Sequence, residues 1–155
     1  MLVLPLSTWH DRSGFDCGNA QLNAWFAQVA KQHKEKGVSS TFVVVASPSD
    51  TAVMGFYAIS MAELISDDLP EKSRKRLPIK VPVFRIGRLA TSQGHQRKGI
   101  GEFMLFDAID RAGRIAMDVG GVGLVVDAKP TAVDFYQRYG FEPMVDHPLH
   151  LFLAI

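Results

Sequence analysis

At 155 residues, 47% hydrophobic and with a formal net charge of +1, the chain has room for one sizeable core over residues 1–155, and is neither a disordered segment nor a generic nucleic-acid binder. One cysteine, Cys17, excludes an internal disulfide and points to a reducing, cytoplasmic setting. The first residues lack the basic start and apolar core of a signal peptide, and no apolar run approaches the roughly 18 residues of a membrane span.

Met1 to Leu6 alternates weakly and reads as an edge strand, with Pro5 placing it at the rim. After the turn at Phe15-Asp16-Cys17-Gly18-Asn19, the residues Leu22, Trp25, Phe26, Val29, Ala30 and His33 form one helical stripe. Asp16 or Asn19 can cap that helix and Gly37 can end it. The aromatic stripe reads as core, and Cys17 as a small structural residue. Thr41 to Ala46 is a β-branched run and hence a buried strand. The turn Ser47-Pro48-Ser49-Asp50 leads into a second strand, Ala52 to Ser60, where Gly55 marks a bulge.

From Glu63 to Pro82 the pattern dissolves into a loop, with a short helix around Pro70 to Arg76. Nine of the 17 Lys and Arg residues fall between positions 72 and 98. This run is either a solvated loop or a patch for phosphates. The apolar stretch Val83 to Ala90 is a strand, and Gln96-Arg97-Lys98-Gly99-Ile100-Gly101 then opens a helix running to about Met117. Asp107, Asp110, Arg111, Arg114 and Asp118 give that helix a solvated face. Gly120-Gly121 ends it, and Val122 to Ala128 is a buried strand. Pro130 starts a further helix that holds Tyr136 and stops at Gly140. Two short strands, Phe141 to Val145 and Leu149 to Ile155, close the chain. The order β-α-β-β-(loop)-β-α-β-α-β-β predicts an α/β (α+β) fold. Its sheet is mixed, antiparallel with a central parallel pair, and carries helices on both faces.

A strand, a glycine-bearing turn and a helix start at Gln96–Gly101 make an anion site, because unpaired backbone N–H groups converge there with the positive end of the helix dipole. Gly99 and Gly101 let a phosphate approach the main chain, and Arg97 and Lys98 can close over it. The turn therefore reads as a pyrophosphate holder, against the bland alternative of an ordinary strand-to-helix bend. Neither the dinucleotide nor the P-loop glycine pattern is present.

The spacing Gln/Arg-x-x-Gly-x-Gly/Ala at Gln96–Gly101, with Phe135-Tyr136-Gln137-Arg138-Tyr139-Gly140-Phe141 near the end, resembles the GNAT acetyltransferases over nearly the whole chain. Phe15-Asp16-Cys17-Gly18, Leu22-Asn23-x-Trp25, Thr41-Phe42-Val43, Gly55-Phe56-Tyr57 and Gly87-Arg88-Leu89-Ala90 are similar to the GNAT toxins of bacterial toxin–antitoxin pairs, which acetylate aminoacyl-tRNA. The resemblance implies an acetyl-CoA-dependent N-acetyltransferase with no metal, a cognate antitoxin as partner, and a homodimer. It implies that the main chain of Leu89, Ala90 and Thr91 binds pantetheine and the acetyl carbonyl, and that Gln96, Arg97, Lys98, Gly99, Ile100 and Gly101 hold the diphosphate. It also implies that Tyr136 is the acid that protonates the leaving thiolate, with Tyr139 as competitor. The coenzyme-binding Asn of many relatives has no counterpart in Asp127-Ala128-Lys129.

No general base stands out; Glu63 and Asp127 are the weak candidates. An α-amino group has a pKa near 8, lowered further by an adjacent ester, so it needs less help than a lysine amine near 10.4. This favours an aminoacyl ester as acceptor. On that reading Arg74, Lys75, Arg76, Arg85 and Arg88 contact the tRNA. The alternatives are a small amine or a protein N-terminus as acceptor, or a non-catalytic coenzyme-binding module.

Overall fold

A computed structural model describes residues 1–155. Seven strands, β1 (Leu2–Pro5), β2 (Ser40–Val45), β3 (Gly55–Ile65), β4 (Lys80–Thr91), β5 (Gly123–Asp127), β6 (Glu142–Pro143) and β7 (His150–Ala154), form one sheet in the order β1-β2-β3-β4-β5-β7-β6. The helices are α1 (Ala20–Gln28), α2 (Ala30–Glu35), α3 (Ile100–Val119) and α4 (Val133–Arg138). β4 and β5 are parallel, and the connection between them runs through α3, as a parallel pair requires. The β1–β2, β2–β3, β5–β7 and β6–β7 pairs are antiparallel. The mixed sheet expected from the sequence is thus present. No helix is long and apolar enough to cross a membrane.

The chain divides into two compact units, Met1–Ser60 with Gly87–Ala108, and Met61–Ile86 with Ile109–Ile155. In the first, Val43 and Val45 of β2 and Phe56 and Ala58 of β3 share a face and pack with Trp25, Phe26 and Ala30. On the opposite face, the fully buried Tyr57 donates its hydroxyl to Asp107 of α3 at 2.6 Å. Helices therefore cover both faces of this part of the sheet. Asn19 caps α1, its side-chain oxygen accepting from the Leu22 N–H at 3.0 Å. The single predicted helix is interrupted: Val29, a β-branched residue at φ −118°, separates α1 from α2. Gly37, at φ +71°, closes α2 in a left-handed cap, with the Val38 N–H donating to the His33 carbonyl.

In the second unit, β3 continues to Ile65 where the sequence pattern predicts a loop. Met61, Glu63 and Ile65 point outward while Ala62 and Leu64 pack on the core of Val81, Val83, Val125, Met144 and Phe152. The strand period is present there, but the outward residues mix apolar and charged side chains, which hides it. β4 starts correspondingly earlier, at Lys80, with the Ser66 N–H donating to the Ile79 carbonyl across the connection. The expected short helix near Pro70 is a single 3-10 turn, Glu71–Ser73. The β4–β5 register runs from Phe84↔Leu124 to Ile86↔Val126. β5 opens on Gly123, where any Cβ would run into the Phe152 ring of β7. Gly140, at φ +95°, ends the helical stretch after α4 as the sequence predicts.

Candidate active site

In the first unit the turn after β4 is built by a chain of short-range bonds. The Ser92 N–H donates to the Met54 carbonyl at 2.9 Å, and the Gln93 N–H to the Asp16 carbonyl at 2.8 Å. Gln93–His95 forms one 3-10 turn, bound by Ser92 Oγ and His95 Nδ1 at 2.7 Å. The Gln96 side chain then donates to the Cys17 carbonyl at 3.3 Å and to the Thr91 carbonyl at 3.4 Å. Gln96 thus ties the start of the turn to its own strand and to the segment before α1. Arg97 sits at φ +63° and Gly99 at φ +77°. A left-handed arginine costs on the order of 1 kcal/mol and persists only where surrounding structure imposes it.

Gln96, Arg97, Lys98 and Gly99 are exposed, whereas Ile100 is buried and seats the first turn of α3 beside Met104. The Phe103 N–H donates to the Gly99 carbonyl at 3.0 Å, so α3 takes its first bond from Gly99. The N–H groups at Ile100 and Gly101 precede that ladder and lack intrahelical acceptors. At Gly55 a Cβ would lie 3.0 Å from the Met104 methyl and 3.1 Å from both the Ala90 carbonyl and Ile100, so the glycine lets β3, β4 and α3 close on one another. Ala90 is buried, and Leu89 and Thr91 are half-buried. A cavity of about 230 Å³ beside this turn is lined by Asp11, Phe15, Asp16, Val53, Ser92 and Gln93 among others. The Gly18 N–H and the Asn23 amide hold the Asp16 carboxyl below its usual range. Two carboxylates line that side, which leaves the exposed Gln96–Gly101 side as the one suited to an anion.

Tyr136 lies in the second unit, on α4. It is 8% exposed, with Phe135 and Phe141 edge-on at 5.1 and 5.5 Å. Burial pushes its phenol up to about 12. Tyr139, the competitor, is half-buried against Phe135 at 5.4 Å. Of the weak base candidates, Glu63 is exposed on β3. Asp127 lies opposite His150 in the β5–β7 register and 3.5 Å from its Nε2, while Asp146 meets Nδ1 of the same ring at 3.3 Å.

The basic residues differ in setting. Arg74 donates to the Asp67 carbonyl at 3.2 Å, Lys75 is exposed, and Arg76 adopts φ +63°. Neighbouring Lys72 is paired with Glu142. Arg85, opposite Val125 in β5, has a buried Nε without a hydrogen-bond partner. In the first unit, Arg88 lies over the Trp25 ring, 4.2 Å from its centroid, and burial lowers its pKa. Trp25 reads from the sequence only as core, because nothing in local spacing links residues 63 positions apart.

Residues 16–149 match the acetyltransferase (GNAT) domain family. The chain is 32% identical over 151 residues to a tRNA-acetylating toxin of Mycobacterium tuberculosis, covering 97% of this chain and 89% of the relative. Its fold superposes with a TM-score of 0.92 on AtaT complexed with acetyl-methionyl-tRNAfMet, at 25% identity over 99% of this chain and 94% of that one. AtaTR bound with AcCoA gives a TM-score of 0.83 at 27% identity over 99% and 92% of the two chains.

Proposed function

This chain belongs to the GNAT acetyltransferase family, and on that premise we propose that it acetylates the α-amino group of aminoacyl-tRNA, acting as a toxin that blocks translation and is restrained by a cognate antitoxin. The observation that carries this reading is the likeness, over 97% of the chain, to a protein that acetylates tRNA. The solved complex of AtaT with acetyl-methionyl-tRNAfMet supports the same acceptor class.

Acetyl-CoA supplies the acyl group as an activated thioester. The exposed turn Gln96–Gly101 suits its diphosphate, since two backbone N–H groups and the cations of Arg97 and Lys98 accompany a glycine with no Cβ. The main chain of Leu89, Ala90 and Thr91 takes the pantetheine and the acetyl carbonyl in this reading. The amine gives up one proton as the C–N bond forms, and the sulfur takes one as the C–S bond breaks. Tyr136, kept as phenol across the neutral range by burial, supplies the sulfur's proton. An α-amine next to an ester is partly neutral at physiological pH, so the reaction runs without a dedicated base. The engagement of Asp127 with His150 agrees with that.

The test incubates purified protein, labelled acetyl-CoA and a charged tRNA pool, with Tyr136→Phe in parallel. Acetyl-aminoacyl-tRNA formed by the wild type and reduced at least about a hundredfold in the variant is the expected result. Label found only on a small amine or a peptide N-terminus, with charged tRNA untouched, would overturn the acceptor assignment.

A further inference from the structure

The Arg88 guanidinium carbon lies 4.2 Å over the centroid of an indole that is itself packed among other rings. Trp25 beneath it is stacked on Phe56 at 6.0 Å and 19°, and Phe56 is stacked on Phe26 at 4.3 Å and 5°. His33 closes the edge of the indole at 5.8 Å. Beyond the Trp25 ring, Arg88 has neither a hydrogen bond nor an ion pair. With no acceptor engaged, the guanidinium keeps its N–H donors free. A half-buried cation without a counter-charge is a cost to the fold, and burial already lowers the Arg88 pKa. The aromatic face offsets part of that cost while leaving the donors open to an incoming anion.

We propose that Arg88, seated over the Trp25 ring, receives a phosphodiester of the single-stranded 3′ end of the charged tRNA, with Trp25 as its positioning residue. The proposal rests on the reading that aminoacyl-tRNA is the acceptor. A planar fork matches two oxygens of one phosphate. Arg88 immediately precedes Leu89–Thr91, the stretch assigned to the acetyl group. The phosphates within an arginine's reach of that stretch are those of the terminal nucleotides that carry the aminoacyl ester. Because Arg88 is half-buried, salt screens its contact less than it would screen a contact made by a fully exposed lysine.

Arg88→Met keeps the aliphatic stem over Trp25 and removes every donor. Arg88→Lys keeps the charge without the fork, and Trp25→Leu removes the ring face. The measurements are KM and kcat for charged tRNA, filter-binding Kd for uncharged tRNA at low and raised salt, and Kd for acetyl-CoA. For Arg88→Met, KM and the tRNA Kd rise about tenfold at both salts while kcat stays within about twofold, the signature of a contact made equally before and during reaction. Arg88→Lys recovers little of the loss. Trp25→Leu, checked for folding by circular dichroism, gives an intermediate rise, and acetyl-CoA affinity is unchanged throughout.

Wild-type KM and tRNA Kd in Arg88→Met would overturn the proposal. So would a parallel loss of acetyl-CoA affinity, which would assign Arg88 to a coenzyme phosphate. A wild type that binds uncharged tRNA through Arg88 yet acetylates no charged tRNA would sink the acceptor reading and leave the site standing. A wild type that acetylates charged tRNA with no dependence on Arg88 would do the reverse.

Discussion

Gly99 and Gly37 make a matched pair for testing the diphosphate turn. Gly99 sits at φ +77° and Gly37 at φ +71°, and a Cβ at either meets nothing within 4 Å. Alanine at both positions therefore carries the same penalty, the left-handed backbone, of about 1 kcal/mol. In a domain of this size that lowers Tm by about 2–4 °C. Their chemistry differs. Gly37 ends α2, whereas Gly99 opens α3 in the exposed turn. If the turn holds the diphosphate as proposed, a Cβ on Gly99 would crowd the phosphate and cost it at least one main-chain N–H. One lost hydrogen bond to a charged acceptor costs about 1.5–3 kcal/mol, so the acetyl-CoA Kd should rise at least about tenfold. Scanning fluorimetry without ligand reads the first effect and calorimetric titration of acetyl-CoA reads the second. Gly37→Ala should show the Tm loss with wild-type affinity, and Gly99→Ala both changes. If Gly99→Ala loses the same few degrees as Gly37→Ala and still binds acetyl-CoA like the wild type, the turn does not hold the diphosphate.

Three further outcomes follow from named contacts. Burial raises the Tyr136 phenol to about 12 in the folded chain, against about 10 when unfolded, so its contribution is intact below pH 10 and is lost as pH rises toward 12, on the order of 3 kcal/mol. Urea melts across that range should show a steeper loss for wild type than for Tyr136→Phe, and equal slopes would contradict the burial argument. Tyr57→Phe deletes the 2.6 Å bond to Asp107 and should cost about 1.5–3 kcal/mol of unfolding free energy, read as a lowered urea midpoint at unchanged m-value. A cost under half a kcal/mol would mean that the pair is solvated in solution. Replacing Arg74, Lys75 and Arg76 together by alanine should reduce the salt slope of tRNA binding by up to about three phosphate contacts. An unchanged slope would return that loop to the solvated reading.

Some of this architecture is legible in the amino-acid order because local chemistry decides it. The β-branched run at Thr41–Val45 can bury only as a strand, Asn19 can cap, and Gly37 and Gly140 can take left-handed turns that other residues resist. The Gln96–Gly101 turn is legible for the same reason, since its strand, glycines and helix start adjoin one another. The continuation of β3 to Ile65 is not. Met61, Glu63 and Ile65 are mixed in polarity, and only pairing with a neighbouring strand makes them extended. Nor is the interruption at Val29, where the apolar stripe runs straight through and only the backbone departs.

The candidate site divides along the same line. The turn and Tyr136 stand out because each sits in a recognisable run of neighbours. The settings of the five arginines and lysines assigned to tRNA cannot be ranked that way, since charge in a sequence carries no information about counter-charge. In the fold they separate: Arg74 already donates to a carbonyl, Arg85 buries an unsatisfied Nε, and Arg88 rests on an indole with its donors free. Arg74 has one guanidinium nitrogen committed to the Asp67 carbonyl, which restricts the orientations in which its remaining donors can meet a phosphate. A guanidinium preorganised by stacking surrenders nothing and loses little rotamer freedom on binding. Binding strength per residue should therefore rank Arg88 above Arg74, although the two carry the same formal charge.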